Sequence, residues 1–207
     1  MIRHHTLPFG AQYLGNGRTH FTLWAPAADS VDLVLDGKDH PMQRGENGGF
    51  AITTEAAPGT RYRYRIDDEQ EVPDPASRFQ PEDVHGPSEV VNPEAFDWRD
   101  DDWKGRPWEE TVLYELHVGT FSPEGTFVGV KNRLGEWVDL GVTAIELMPI
   151  SDFPGVRNWG YDGVLPYAPD GSYGTPQDLK DLVQAAHRKG LSVFLDVVYN
   201  HFGPEGN

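Results

Sequence analysis

The stretch Leu191-Ser-Val-Phe-Leu-Asp-Val-Val-Tyr-Asn-His201 decides how the rest of the chain is read. Its apolar, β-branched opening has the signature of a strand buried on both faces. Asp196 interrupts that run, and Asn200 and His201 close it. A buried carboxylate is costly unless it is partnered, so an aspartate there is expected to be held by specific groups. Polar residues gathered at the C-terminal end of a parallel strand are where α/β barrels keep their active sites. A satisfied core Asp196 followed by a surface Asn-His turn is the plainer alternative for this stretch alone.

Upstream of it, from Thr111, the pattern runs strand, helix, strand, helix, strand. Val112-Leu-Tyr-Glu-Leu-His-Val118 reads as the first strand and Thr143-Ala-Ile-Glu-Leu-Met-Pro149 as the second. Between them Val130, Leu134, Trp137 and Val138 share one helical face, and Gly141 stops that helix. Thr175-Pro-Gln-Asp178 supplies an N-cap, a proline at the first helical position and an acidic third position. Leu179, Leu182, Val183 and Ala186 form the second helical face, and Gly190 ends it. Two such units give a parallel sheet with helices as right-handed crossovers.

The connection over residues 150–174 is far longer than the roughly 2–6 residues of an ordinary βα loop. It carries Asn158-Trp-Gly-Tyr-Asp-Gly163 and Tyr167-Ala-Pro-Asp-Gly-Ser-Tyr173. Long loops at the C-terminal end of barrel strands, rich in Trp, Tyr, Asn and Asp, read as binding surfaces, with a self-packed Ω-loop as the alternative. Glu115, His117, Glu146 and Asp196 point to a polar network inside a barrel, in which Glu115 and Glu146 are expected to be satisfied structural groups.

The first 96 residues have a different grammar. Asn16-Gly17 is a two-residue hairpin signal, Asp36-Gly37 follows Val31-Asp-Leu-Val-Leu35, and Gly45-Glu-Asn-Gly-Gly49 separates two further short runs. Arg61-Tyr-Arg-Tyr-Arg-Ile66 alternates strictly, placing Tyr62, Tyr64 and Ile66 on one face and three arginines on the other. Short strands at this spacing predict an antiparallel β-sandwich over residues 1–96. The Pro-rich segment over residues 72–91 is expected to lie extended over a surface without forming an element of its own. A linker over residues 97–110 follows, in which Trp103 and Trp108, together with Trp98, are expected to anchor the seam between two domains, and residues 111–207 form part of a barrel.

Composition sets the outer limits. The formal net charge of −16 over 207 residues argues against nucleic acid or an anionic membrane as partner. The acidic cluster Asp97-Trp-Arg-Asp-Asp-Asp102 is expected to be solvated. There is no cysteine, so disulfides and thiolate metal sites are excluded. No secretory signal opens the chain and no apolar run approaches the roughly 20 residues of a membrane span, so a cytoplasmic location is expected. No G-x-G-x-x-G, Walker-type or G-x-S-x-G motif occurs. His187 reads as a surface residue, and His4 and His5 as part of a mobile terminus.

Asp196-Val-Val-Tyr-Asn-His201 resembles the first signature region of the alpha-amylase family of glycoside hydrolases. Tyr114-Glu-Leu-His-Val-Gly-Thr-Phe121 resembles the first barrel strand of its glycogen-branching and trehalose-forming members. With Phe79-Gln-Pro-Glu-Asp-Val-His-Gly-Pro-Ser88, Glu124-Gly-Thr-Phe127, Glu146-Leu-Met-Pro149 and Trp159-Gly-Tyr-Asp-Gly163, the combination is most similar to the maltooligosyltrehalose trehalohydrolase branch of that family. The resemblance implies a multidomain all-β plus α/β chain: a β-sandwich of the early-set, carbohydrate-binding type, then the first three βα units of a TIM (β/α)8 barrel. It implies a retaining hydrolase that frees trehalose from maltooligosyl-trehalose by cutting the α-1,4 bond beside the trehalose end, with maltooligosyl-trehalose or an α-1,4-glucan oligosaccharide as its binding partner. Tyr161 would stack on the sugar at the cleavage site and His201 would contact its primary hydroxyl. Trp159 and Asp162 would join them in binding substrate, while Asp196 and Asn200 brace the strand end. No cofactor and no metal are expected, because six or so oxygen ligands for calcium cannot be assembled.

The same resemblance places the two catalytic carboxylates, about 5–5.5 Å apart in a retaining enzyme, after the fourth and fifth barrel strands. The sequence carries none of them, and three strands cannot close a barrel. The chain is therefore expected to be the N-terminal part of a longer enzyme whose partner is the remainder of the barrel. A glycogen-branching or debranching relative and a non-catalytic glucan-binding fragment are the competing readings.

Overall fold

The computed structural model describes residues 7–206; His4 and His5 lie outside the described residues. Nine strands build the N-terminal sandwich: β1 (Gly10–Gly15), β2 (Arg18–Trp24), β3 (Val31–Leu35), β4 (Lys38–Pro41), β5 (Gln43–Arg44), β6 (Gly49–Glu55), β7 (Arg61–Ile66), β8 (Gln70–Val72) and β9 (Ser88–Glu89). They form two antiparallel sheets, β1-β2-β6-β5 and β4-β3-β7-β8, with β9 added to β7. The hairpin signals act as read. Asn16 and Gly17 have φ of 52° and 73°, and Asp36 and Gly37 have 49° and 71°, the left-handed pair that a tight I′ turn needs.

Tyr62 and Tyr64 point into the core between the sheets, where Tyr62 meets Phe21 edge-on at 4.9 Å. The arginines of β7 face outward: Arg61 pairs with Glu89 at 3.1 Å and Arg65 with Glu71 and Asp39. Such exposed pairs add at most about 1 kcal/mol each, so the aromatic face carries the strand. The Pro-rich segment does contain an element, contrary to the sequence reading. Ser88 and Glu89 pair with Tyr62 and Arg61, because the buried Ser88 hydroxyl is tied to Gln80 at 2.5 Å and accepts the Asp74 amide at 3.0 Å.

The second half contains β10 (Leu113–Leu116), α1 (Val118–Phe121), α2 (Phe127–Leu140), β11 (Ala144–Leu147), β12 (Ser151–Asp152), β13 (Leu165–Pro169), α3 (Pro176–Arg188) and β14 (Ser192–Leu195). β10, β11 and β14 form a parallel three-stranded sheet with Leu116, Leu147 and Leu195 in line. Phe127, Val130 and Leu134 of α2, with Leu182 and Ala186 of α3, bury one face of it. Val138 is exposed, outside that face. Gly141 takes φ 95° and its N–H caps α2, while Thr175 and Asp178 exchange capping hydrogen bonds at the start of α3.

Several expectations are corrected here. The opening stretch is a strand only over Ser192–Leu195, so Asp196 lies just past its end, and Phe194 and Leu195 are exposed rather than buried. The first strand stops at Leu116, and His117 becomes the N-cap of the single turn α1. The side chains of Glu115 and Glu146, neighbours in register, make no hydrogen bond among the described residues and face away from the helices. Asp100 is buried, not solvated, and its carboxylate meets His187 Nδ1 at 2.9 Å. His187 is accordingly mostly buried and stacks on Trp103 at 4.7 Å. Trp103 thus packs on α3 rather than at a domain seam, and Trp108 is exposed.

Two buried carboxylates show how the loops are fastened. Asp74 accepts from the hydroxyls of Tyr62 at 2.7 Å and Tyr64 at 3.4 Å and from the Ala76 amide at 2.8 Å. Burial lifts its pKa to about 6, against the pull of those donors. Asp152, on β12, is buried with neither oxygen hydrogen-bonded among the described residues; the Gly171 amide is directed at it without closing a bond. Burial first, then the neighbouring Asp170 carboxylate, raise Asp152 to about 8. A folded-state pKa above the unfolded value means that the fold takes up a proton there, so the stabilisation is full below about 3.8 and lost as pH rises through about 8. The thermal midpoint is expected to fall as pH is raised from about 5 to 8.5, by up to about 1.4 kcal/mol of stability per pH unit from this group. Asp152→Asn, uncharged at every pH, is expected to flatten that slope in calorimetry; an unchanged slope would remove Asp152 as its cause.

Candidate active site

The in-line ends of β10, β11 and β14 send three chain segments out at one edge of the sheet, and the candidate site is assembled there. From β11 the chain enters residues 148–174, which are not a structureless loop: β12 and β13 pair antiparallel across it. This inner ladder holds the segment 153–164 out as a projecting turn. Gly160 sits in that turn at φ 98°, and a Cβ there would collide with the Pro149 carbonyl oxygen. Asn158 organises the turn, its Oδ1 accepting from the Gly160 amide at 2.7 Å and its Nδ2 donating to Asp162 at 3.0 Å.

His117, at the exit of β10, supports the turn from below. Its Nε2 lies 2.6 Å from the Asn158 carbonyl oxygen, which can only accept, so Nε2 carries the proton. Nδ1 is then the acceptor for the Thr120 hydroxyl at 3.4 Å. The exit of β14 supports the turn from the other side. The Asp196 amide donates to Leu147 O at 2.9 Å, extending the sheet by one bond, and its carboxylate accepts the Tyr161 hydroxyl at 3.3 Å. His201 Nε2 donates to the Tyr161 carbonyl at 2.9 Å, leaving Nδ1 as an open acceptor. The Tyr161 phenol is pushed up from its usual range by partial burial and by the Asp196 charge, so it stays a neutral donor at physiological pH.

Of the six residues singled out in the sequence, Tyr161, Asp196 and His201 are joined directly, and Asp162 belongs to the same turn through Asn158. Trp159 projects from the turn, 77% exposed. Asn200 makes no hydrogen bond among the described residues; it is exposed beside Tyr199 and His201 in a groove of about 550 Å³. Among the described residues the hydrogen bonds at the strand end are those of Asp196. His117 and Asn158 were not placed in the site from the sequence. The signal for His117 was its position at the C-terminal end of a barrel strand, where site residues collect. Chemically the cluster offers an aromatic ring, neutral donors and acceptors, and one carboxylate already engaged, which suits a polyhydroxylated, uncharged ligand. Among the described residues no group of three or more His, Asp or Glu side chains is arranged to hold a metal ion.

Both halves of the chain have counterparts among known proteins. The family model described as alpha amylase, catalytic domain, matches residues 74–207, and that for carbohydrate-binding module 48, the isoamylase N-terminal domain, matches residues 8–81. The malto-oligosyltrehalose trehalohydrolase of Saccharolobus solfataricus is 51% identical over 203 residues, covering 97% of this chain and 36% of that protein. The enzyme of the same name from Deinococcus radiodurans is 49% identical over 193 residues, covering 93% of this chain and 32% of its own length. The chain thus spans about a third of the length of these relatives. Among solved structures, a putative alpha amylase from Salmonella typhimurium superposes with a TM-score of 0.95 at 50% identity, over 98% of this chain and 35% of that one. A pullulanase from Paenibacillus barengoltzii, solved with maltohexaose and alpha-cyclodextrin, gives 0.81 at 29% identity, over 96% of this chain and 39% of that one. The chain belongs to the alpha-amylase family of glycoside hydrolases, as a module-48 β-sandwich followed by parallel β/α units of the catalytic domain.

Proposed function

We propose that this chain forms the substrate-positioning part of a retaining glycoside hydrolase that releases trehalose from maltooligosyl-trehalose. The observation that carries the reading is the Tyr161–Asp196–His201 cluster at the C-terminal edge of the parallel sheet. The identity to trehalohydrolases, at about half of all positions and through both sheet systems, supports the choice of substrate within the family. The Tyr161 ring would lie against the apolar face of the glucose unit at the cleavage site, with the hydroxyl fixed to Asp196 so that the ring plane is set before substrate arrives. His201 Nδ1 would accept from a hydroxyl of the same unit. Trp159, exposed at the tip of the turn, would cover a neighbouring unit, and Asp162 would accept from its hydroxyls. The nucleophile and the acid/base are not assigned among these residues; they belong to the remainder of the barrel.

The decisive comparison uses the whole enzyme with maltotriosyl-trehalose and, separately, maltopentaose, a linear chain of the same number of glucose units. Trehalose is expected as product, with kcat/KM at least tenfold higher for the trehalose-ended chain. Equal rates, or transfer of the chain to a new α-1,6 branch, would replace the proposal with a debranching or branching specificity. The 34% identity to a branching enzyme from Rhizobium johnstonii makes that outcome the one to watch for.

Two substitutions test the geometry. Tyr161→Phe keeps the ring and loses the bond to Asp196, so kcat/KM is expected to fall about tenfold, the worth of one hydrogen bond in a preorganised site. Tyr161→Ala removes the stacking surface as well and is expected to cost about a hundredfold or more. Gly160→Ala forces a Cβ against Pro149 and must shift the turn that carries Tyr161. Its loss of kcat/KM is expected to approach that of Tyr161→Ala, with circular dichroism unchanged, since the turn lies outside the helices and the three-stranded sheet. Full activity in that variant would show that the turn is free to move without consequence.

A further inference from the structure

The neck of the turn that carries Trp159 and Tyr161 is closed by β12 and β13, and three carboxyl groups gather around it. Across the neck the Val164 amide donates to the Asp152 carbonyl at 2.9 Å, and the Asp170 amide donates to the Ile150 carbonyl at 2.8 Å. The first residues of the turn are tied by side chains. The Asp170 carboxylate accepts the Phe153 amide at 3.2 Å, and Asp83 accepts the Gly155 amide at 2.8 Å. Asp83 is itself set by its backbone: it takes φ 75°, and its other oxygen accepts the Val84 amide at 2.6 Å. Asp152, at the neck, differs from both. It is 1% exposed, and neither of its oxygens meets a donor among the described residues.

The charged groups that act on Asp152 are acidic. Asp170 reaches it from the exit of β13 and Asp83 from the Pro-rich strap. Tyr173, further along the same connection, is kept protonated by burial and by the Asp170 charge, so it brings no charge of its own. No Lys, Arg or His side chain is paired with any of the three carboxyls among the described residues, and the three are not arranged to hold a metal ion. Asp170 and Asp83 are committed as acceptors to backbone amides. Asp152 alone can take a proton without giving up a hydrogen bond, and the proton removes one of three like charges from an enclosed space.

We propose that Asp152 is a positioning residue for the turn that carries Tyr161: with a proton it lets the neck close against Asp170 and Asp83, and without one it forces the neck open. The inference rests on the substrate-positioning reading above. It adds to that reading a control of the binding surface by pH that is separate from the titration of any catalytic carboxylate. An open neck exposes Asp152 to water, where it ionises near its ordinary value, whereas the closed neck holds it up to about 8. Opening is therefore favoured by up to about tenfold for each pH unit between about 5 and 8, and the effect levels off above that. As the seated fraction falls, the apparent Kd for a ligand of the turn rises in proportion.

The test follows hydrogen–deuterium exchange of the 151–165 peptide in the whole enzyme at about pH 5.5 and about pH 8, with the intrinsic exchange rate divided out. The Kd for maltotriose, an uncharged ligand, is measured beside it. In the wild type, protection of this peptide is expected to fall at least about tenfold between the two conditions and the Kd to rise about threefold, while the peptide spanning α2 keeps its protection. Asp152→Asn is expected to make both quantities independent of pH. Asp170→Asn, which leaves Asp152 in place and removes its nearest charge, is expected to make the fall in protection shallower and serves if the first variant does not fold. Protection that stays constant in the wild type, or that falls equally in Asp152→Asn, would overturn the assignment. So would a constant Kd for maltotriose while the wild-type peptide loses protection. Failure of the parent reading looks different: exchange follows the expected pattern in wild type and variant, while maltotriose is bound at neither pH.

Discussion

The in-register parallel pairing of Leu113–Leu116, Ala144–Leu147 and Ser192–Leu195 is the constraint on which the site depends. It brings Leu116, Leu147 and Leu195 side by side, so the chain leaves all three strands at one level. His117, the 148–174 segment and Asp196 then meet at that edge without further adjustment. A slip of one residue in β14 would turn each side chain to the opposite face and move Asp196 away from Tyr161. Helix packing enforces the register, because Leu116, Ile145 and Leu147 share one buried cluster with Phe127, Leu134 and Leu182. Hydrophobic burial thus sets a polar geometry some residues away, and the hydrogen bonds at the strand exits record it.

The distribution of charge follows a consistent logic. Most of the acidic side chains lie at the surface, yet besides Asp100, which is buried against His187, three carboxylates are buried beneath the loops: Asp74, Asp152 and Asp170. Burial raises all three, and the neutral form costs far less to enclose than the ion. Asp170 is the best satisfied of the pair under the long segment, accepting from the Ser172 amide at 2.8 Å and the Phe153 amide at 3.2 Å. Asp152 has no such donors and is the weaker fastening. Close by, Asp83 accepts the Gly155 amide at 2.8 Å and so ties the Pro-rich strap of the sandwich to the turn that carries Tyr161. This backbone donor to a carboxylate joins the two halves of the chain, beside the Lys180 ammonium on the Pro93 carbonyl at 3.0 Å and an exposed His85–Glu205 pair at 3.2 Å, which contributes little.

Local features were legible in the sequence because they are governed by single residues. Asn16-Gly17 and Asp36-Gly37 take left-handed conformations that few other residues tolerate, and Thr175 with Asp178 close a capping box whatever surrounds them. The Tyr62/Tyr64 face was legible because strict alternation has one reading in a sandwich strand. What the sequence did not show was pairing across long separations. Asp100 and His187 each look like surface residues, and they bury each other across 87 positions. The same holds for His117 and Asn158, 41 positions apart. The apolar run of 191–195 was read as buried on both faces; apolar character shows what a strand is suited to touch, not what lies against it, and Phe194 is exposed. Tyr161, Asp196 and His201 were reached by resemblance of motifs, while the absence of a hydrogen bond at Asn200 among the described residues is seen only in the geometry.

The turn that carries Tyr161 is confined from three directions, and this bears on how its parts can work. At Gly160 it presses on the Pro149 carbonyl so closely that no Cβ fits, and at Gly203 the segment after β14 presses in the same way on the Asp162 carbonyl. Gly203 also donates its amide to Gly163 at 3.1 Å. The exits of β11 and β14 are thereby clamped onto opposite sides of one turn, with His117 beneath it. Side chains fixed in this way lose little freedom on binding, so a larger share of each contact appears as affinity. It also follows that Tyr161 and His201 do not respond independently. The His201 ring is bonded to the backbone of Tyr161, and Tyr161 is bonded to the strand end that leads to His201. Aromatic plane and hydroxyl acceptor form a closed circuit of bonds, and a ligand that displaces one must displace both. For a sugar, whose face and edge hydroxyls stand in a fixed relation, such coupling converts two weak contacts into a single demand on ring orientation.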